Sequence, residues 1–155
     1  MKILLADDSD LMLDRLMEML SKYPQVEVVA AIKNGSEILE TVKRSKPHLA
    51  ILDLRMPGLN GLDVLKALRK ENLYVRIIIL TFFATDNYRL AAKLLGADYF
   101  FSKVDDFDQV EQVVLSLLQK EELNQKLRCK EMTVIRTRFH QQYIHIDLHL
   151  QSKSQ

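Results

Sequence analysis

Three aspartates stand where apolar segments of the chain end. Asp7 and Asp8 follow the apolar run 3–6, and Asp53 closes the run 50–53. If these runs form neighbouring parallel strands, their carboxyl ends meet at one edge of the sheet and the three carboxylates converge. Converging carboxylates repel one another unless a cation lies between them, and Mg²⁺ prefers oxygen ligands of this kind. The residues therefore predict a site for a divalent cation.

The elements that must position these aspartates alternate along the chain. Short apolar or β-branched runs predict strands, and amphipathic stretches with a helical period separate them. The predicted strands are 2–6, 26–32, 48–53, 75–81 and 97–101, and the predicted helices are 10–22, 35–45, 60–71, 86–95 and 107–119. This order predicts an α/β fold, a doubly wound five-stranded parallel sheet with helices on both faces.

Size and composition narrow the class of protein. The 155 residues suffice for one domain with its own core, and 48% apolar with 28% charged residues is typical of a globular protein. We expect no association with membranes, because no apolar run is long enough to span one. The lone Cys129 favours a reducing compartment, so we expect a cytoplasmic location. A net charge of +1 argues against nucleic-acid binding by this chain alone.

The C-terminal residues follow a different pattern. We therefore expect one domain over 1–120 and a C-terminal extension over 121–155. The polar stretch 120–131 favours a continuation of the last helix, whereas strict alternation over 143–150 predicts a possible strand. A lone strand is unstable in water, so this segment either pairs with another surface, with a homodimer as one possibility, or remains disordered.

Four motifs together resemble a known family. The pair DD at 7–8, the motif D-x-x-M-P-G at 53–58, Thr81 and Lys103 resemble the phosphoacceptor site of response-regulator receiver domains of bacterial two-component signalling. The resemblance covers about residues 1–120 and implies the family's flavodoxin-like sheet, with strand order 2-1-3-4-5. The segment 99–110 also resembles receivers attached to LuxR-type helix-turn-helix domains.

The resemblance implies that Asp53 is the phosphoacceptor, taking a phosphoryl group from a histidine kinase or a histidine phosphotransfer protein. The domain then catalyses its own phosphorylation and dephosphorylation and is not an enzyme acting on a separate substrate. Mg²⁺ is the implied cofactor. Its direct ligands are Asp8, Asp53 and the backbone carbonyl of Arg55, and Asp7 acts through water.

Three further residues receive roles from the same resemblance. Lys103 places an ammonium group on one phosphoryl oxygen, and the Thr81 hydroxyl donates a hydrogen bond to another. Phe100 is the aromatic switch residue that changes rotamer when Thr81 is drawn inward. Three residues depart from the family pattern: Phe82 replaces a small residue, Phe100 stands where tyrosine is commoner, and Val104 replaces a proline that often follows the lysine.

Three interpretations of function remain open. The first is a phosphorylatable regulator that signals by a conformational switch and protein contact or phosphorelay. The second is the receiver of a DNA-binding transcription regulator whose output domain lies outside this sequence. The third is a receiver-like module that is not phosphorylated and serves only binding or dimerisation. The intact acids favour the first two.

Overall fold

The computed structural model describes the backbone of residues 1–151 and the side chains of residues 1–129. Strands and helices alternate as the sequence predicts. The strands are β1 (Lys2–Ala6), β2 (Glu27–Ile32), β3 (Leu49–Leu52), β4 (Arg76–Thr81) and β5 (Tyr99–Ser102). The helices are α1 (Asp10–Ser21), α2 (Ile38–Ser45), which follows a 3₁₀ turn (Gly35–Glu37), α3 (Gly61–Lys70), α4 (Asp86–Leu94) and α5 (Phe107–Gln151).

The five strands form one parallel sheet in the order β2-β1-β3-β4-β5, so the predicted fold and strand order are confirmed. The register aligns the carboxyl ends. Ala6 pairs with Leu52 on β3, and Thr81 pairs with Ser102 on β5. The residues that follow β1, β3 and β5 therefore emerge at one edge of the sheet.

The central strands are buried on both faces, which is why they are almost wholly apolar. Every residue of β3 is buried, as is every residue of β1 and β4 except the first of each. Each leucine or isoleucine buried in this way stabilises the fold by about 1.5–3 kcal/mol. Because the apolar runs leave no polar face, the sheet is held between two layers of helices.

Helix N-caps fix the chain just beyond the strand ends. Ser9 Oγ accepts a hydrogen bond from Met12 N at 3.4 Å at the start of α1. Asn60 Oδ1 accepts from Leu62 N and Asp63 N at 2.9 and 3.0 Å at the start of α3. Thr85 Oγ1 accepts from Tyr88 N at 3.4 Å at the start of α4. These caps satisfy amides that the first helical turn leaves without partners.

The prediction of a strand over 143–150 is wrong, because α5 continues as a helix to Gln151. A helix satisfies its backbone hydrogen bonds within its own segment, whereas a strand here needs a partner strand. The chain divides into two compact units, Met1–Val114 and Leu115–Gln155, and the predicted domain boundary near residue 120 stays a prediction. Over the described residues, no helix combines the length and apolar character needed to cross a membrane.

Candidate phosphoacceptor site

The three aspartates converge at the carboxyl ends of β1 and β3. Asp53 N donates a hydrogen bond to Ala6 O at 2.9 Å, which places the end of β3 beside the end of β1. One carboxylate oxygen from each of Asp7, Asp8 and Asp53 lies within 4.8 Å of the others. Asp7 and Asp53 are buried, whereas Asp8 is exposed. The cluster thus combines two desolvated carboxylates with one that reaches solvent.

Lys103 lies between the two buried carboxylates. Its Nζ is 2.5 Å from Asp7 Oδ2 and 3.0 Å from Asp53 Oδ2, and its side chain is only 1% exposed. The lysine follows β5, and its backbone N donates to Thr81 O at 2.9 Å. The sheet therefore brings Asp7 and Lys103 together, although they are 96 positions apart in the sequence. One ammonium group balances part of the negative charge of three acids.

Each buried carboxylate is fixed by two donors. Asp53 Oδ1 accepts from Leu54 N at 2.7 Å, and Asp7 Oδ1 accepts from Ser9 N at 3.0 Å. In both residues Oδ2 faces Lys103 instead. Burial raises the pKa of the Asp7 carboxyl above its ordinary value, and the hydrogen bond from Lys103 only partly opposes this. The three carboxylates carry more negative charge than the one ammonium group balances, so an added cation would stabilise the site.

Thr81 is fully buried at the end of β4, at the same edge of the sheet. Its Oγ1 accepts a hydrogen bond from Phe83 N at 3.2 Å. A hydroxyl that accepts one bond still carries a hydrogen to donate. The position thus suits a donor to a group bound at the acidic cluster.

Aromatic rings and a guanidinium group flank the cluster on the β4 side. The Phe82 side chain is exposed, and its ring centroid is 5.0 Å from Lys103 Nζ. Arg55 Cζ lies 3.6 Å from the centroid of the Phe83 ring, so the two side chains stack. Both pairs have the geometry of cation–π contacts.

Phe100, the predicted switch residue, points into the core in this structure, where it is 9% exposed. Arg89 on α4 holds it in two ways. The Arg89 Nη1 group donates to Phe100 O at 2.8 Å, and its Cζ lies 4.9 Å from the centroid of the Phe100 ring. No sequence pattern points to this arginine, because its partner is a backbone carbonyl on another element.

The loop after β5 is organised by Ser102, which is not among the site residues predicted from the sequence. Ser102 Oγ accepts from the backbone amides of Val104 and Asp105 at 3.2 and 3.3 Å and donates to Asp105 Oδ2 at 3.2 Å. Ser102 N donates to Asp106 Oδ2 at 3.0 Å. The Lys103–Val104 peptide is trans. A serine with two acids three and four residues later is typical of a turn, so the sequence carries a signal for these bonds.

The donor set fits Mg²⁺. Three carboxylates within reach of one another supply hard oxygen ligands, and the exposed Asp8 leaves room for the waters that this ion retains. Burial is the main cause of the raised pKa of Asp7, and the neighbouring charge of Asp53 adds to it; a divalent cation at the cluster would oppose both by favouring the charged carboxylate.

Comparison with known proteins agrees with this geometry. The family model for the response regulator receiver domain matches residues 3–115. A nitrate/nitrite response regulator homolog of Haemophilus influenzae is 35% identical over 121 residues, which are 78% of this chain and 58% of that protein. NarP of Escherichia coli is 32% identical over 136 residues, 84% of this chain and 63% of that protein.

Solved structures give the same result. The signal receiver domain of a putative NarL response regulator from Mycobacterium tuberculosis has a TM-score of 0.70 and 28% identity, covering 76% of this chain and 95% of that one. The response regulator domain of Thermotoga maritima CheB has a TM-score of 0.67 and 28% identity, covering 77% of this chain and 94% of that one.

The chain belongs to the response-regulator receiver family and contains a phosphorylatable receiver domain of two-component signalling. Its curated relatives are regulators of the NarL and NarP type. The chain spans about three fifths of the length of these two relatives, 58% and 63%. Receiver domains bind Mg²⁺ at an acidic pocket and interact with histidine kinases.

Proposed function

We propose that Asp53 is the residue that accepts the phosphoryl group. The observation that carries this proposal is the position of its buried carboxylate, which Leu54 N and Lys103 Nζ hold at 2.7 and 3.0 Å beside two further acids. A carboxylate fixed in this way is oriented before the donor arrives, so the reaction does not have to order it.

The transfer is a displacement at phosphorus. A carboxylate oxygen of Asp53 attacks the phosphorus of a phosphohistidine, and the new O–P bond forms as the P–N bond breaks. The electron pair of the broken bond returns to the donor imidazole, which takes up a proton. Lys103, already 3.0 Å from Asp53 Oδ2, stabilises the added negative charge, and Thr81 donates its hydroxyl hydrogen to a phosphoryl oxygen.

For the cofactor we propose that Asp8, Asp53 and the backbone carbonyl of Arg55 bind Mg²⁺ and that Asp7 acts through water. When bound, Mg²⁺ neutralises charge on the phosphoryl oxygens. The support is the convergence of the three carboxylates within 4.8 Å. For the partner we propose a sensor histidine kinase or a histidine phosphotransfer protein, because Asp53 is suited to a phosphohistidine donor.

The output is proposed to be a conformational switch through Thr81 and Phe100. Movement of the Thr81 hydroxyl toward a bound phosphoryl group opens space at the end of β4, and Phe100 changes rotamer to follow it. The proposal is supported by the buried position of the Phe100 ring, whose centroid lies 4.9 Å from Arg89 Cζ, and we propose that the ring takes this position in the unphosphorylated state.

The length of the relatives favours a second candidate, the receiver part of a DNA-binding regulator. The chain covers 58% and 63% of the two relatives described above. Reading the gene beyond the codon for Gln155 separates this candidate from a regulator that acts by protein contact alone.

A homodimer stays a prediction. Leu123 and Leu127, one helical turn apart on α5, are 58% and 50% exposed, and a second copy would bury them. Light scattering over a range of concentrations, with a Leu123→Ser/Leu127→Ser variant as comparison, measures this directly. A monomer at every concentration would contradict it.

Labelling with a small phosphoryl donor tests the acceptor assignment. The intact chain should incorporate the phosphoryl group only with Mg²⁺, and both chelator and Asp53→Asn should abolish incorporation. Asp63→Asn is the matched control, since this exposed carboxylate lies in the first turn of α3, where it accepts a hydrogen bond from Asn60 Nδ2, outside the cluster. Undiminished labelling of Asp53→Asn would overturn the assignment.

A further inference from the structure

The turn before α2 is packed directly against the loop that joins β3 to α3. Gly35 N donates a hydrogen bond to Pro57 O at 2.9 Å. A Cβ atom placed on Gly35 would lie 1.8 Å from Leu59 O, closer than any real contact. The two backbone segments thus touch with no room for a side chain between them.

The same turn contacts the loop at a second point, Gly58. Gly58 has a φ of +79°, and a Cβ there would lie 2.2 Å from Asn34 Oδ1 and 2.3 Å from Ser36 Oγ. The Asn34 side chain is itself held, because its Oδ1 accepts from Ser36 N at 2.9 Å. The contact between turn and loop is therefore a fixed one on both sides.

The ends of the loop are tied elsewhere. Asp53 N bonds to Ala6 O at its start, and Gly61 N donates to Leu54 O at 2.9 Å at its end. Between these ends, the contacts with Asn34, Gly35 and Ser36 fix the middle of the loop. Arg55 lies in the stretch between the start and this middle anchor.

We propose that the turn Asn34–Ser36 is a positioning element for the metal site, with Gly35 as its central residue. This inference rests on the proposed function, in which the backbone carbonyl of Arg55 is a metal ligand. Mg²⁺ requires near-ideal octahedral geometry, so a ligand displaced by a few tenths of an ångström binds poorly. By fixing the loop at Pro57 and Gly58, the turn sets where that carbonyl lies, although it touches neither metal nor phosphoryl group.

Calorimetric titration of the full chain with MgCl₂ tests this proposal. Gly35→Ala forces Leu59 and the loop away, and the dissociation constant for Mg²⁺ should rise at least about tenfold, as is typical for residues that orient metal ligands. Asn34→Ala removes the second contact without adding a clash and should weaken binding in the same direction. The rise in melting temperature on adding Mg²⁺ is the second readout.

Gly96→Ala is the matched control. Gly96 has a φ of +91° and precedes β5, at the opposite end of the sheet from the acidic cluster. This change also costs stability, through strain in a left-handed backbone conformation, yet the affinity for Mg²⁺ should stay at the wild-type value. An equal loss of affinity in Gly96→Ala would show that binding follows general stability, which overturns the positioning role.

Other results of the same titrations would also refute the proposal. A folded Gly35→Ala that binds Mg²⁺ as tightly as the wild type would refute the proposal. If Gly35→Ala does not fold, wild-type affinity in Asn34→Ala refutes it instead. If the wild type itself binds no Mg²⁺, the proposed metal site fails first, and this inference fails with it.

Discussion

Replacing Lys103 by methionine removes the cation that holds the acidic cluster together in the metal-free protein. Methionine keeps an unbranched chain of similar length, so the packing of this side chain, 1% exposed, is largely preserved. The variant leaves Asp7 Oδ2 and Asp53 Oδ2, which contact Nζ at 2.5 and 3.0 Å, without their shared donor. The change therefore tests the electrostatics of the site rather than its packing.

The expected loss is large. Removing one partner of a buried ion pair costs about 3–5 kcal/mol, because the other charge remains buried and uncompensated. At about 4 °C per kcal/mol for a domain near 100 residues, the melting temperature should fall by at least about 10 °C. Added Mg²⁺ should restore more stability to Lys103→Met than to the wild type, since it supplies the missing positive charge to the folded state alone.

The sign of the pH dependence follows from Asp7. Its folded pKa is raised above the ordinary 3.8, mainly by burial, so its protonated form favours folding. That contribution is fully present below the ordinary pKa and is lost as the pH rises through the raised one. Without Lys103 the pKa of Asp7 should rise further, and the difference in stability between variant and wild type should narrow as the pH falls.

Urea unfolding without metal, at a series of pH values from 4 to 8, measures both effects. Lys93→Met, a change of an exposed lysine on α4, is the control and should stay within about 0.5 kcal/mol of the wild type. If the stability of Lys103→Met matches that of the wild type across this range, Lys103 is not the counter-ion of the acidic cluster.

Three more predictions concern the Phe82 ring beside the cluster, the hydrogen bond from Arg89 to Phe100 O and the pH dependence of Mg²⁺ binding. Phe82→Ala should shorten the lifetime of the phosphoryl group, because the exposed ring crowds the path of the attacking water, and Phe82→Leu should shorten it less. Equal lifetimes in Phe82→Ala and the wild type, measured in a chase experiment, would exclude crowding by this ring. Arg89→Gln loses a charged hydrogen bond to Phe100 O, and its free energy of unfolding in urea should fall by about 1.5–3 kcal/mol. An unchanged free energy of unfolding would show that this bond does not stabilise the fold. Mg²⁺ affinity should fall as the pH drops through the raised pKa of Asp7, since protons compete with the metal; a flat calorimetric profile would argue against Asp7 as part of the site.

The sequence predicts the fold and the place of the acids for a simple reason. Apolar runs separated by amphipathic helices require parallel strands, and parallel neighbours bring Asp7 and Asp53 to one edge. Both consequences depend only on periodicity and order along the chain. The same logic predicts the buried central strands, which need no knowledge of individual contacts.

Other features depend on side-chain rotamers and on contacts between distant elements. The bridge from Lys103 to both buried acids, the hold of Arg89 on Phe100 O and the packing of Gly35 on Leu59 O all depend on where elements meet in space. The alternating pattern over 143–150 also led to a wrong prediction, because α5 continues through this segment as a helix. Alternating apolar residues indicate a strand only where a partner strand is available.

Locating the phosphoryl group within the chain tests the central claim most directly. After reaction with a phosphoryl donor and Mg²⁺, borohydride reduction converts an aspartyl phosphate into homoserine, and peptide mass mapping finds the residue that has changed. Homoserine should appear at position 53 alone, and none should form when Mg²⁺ is chelated. Conversion at Asp7 or Asp8 with position 53 intact would contradict it.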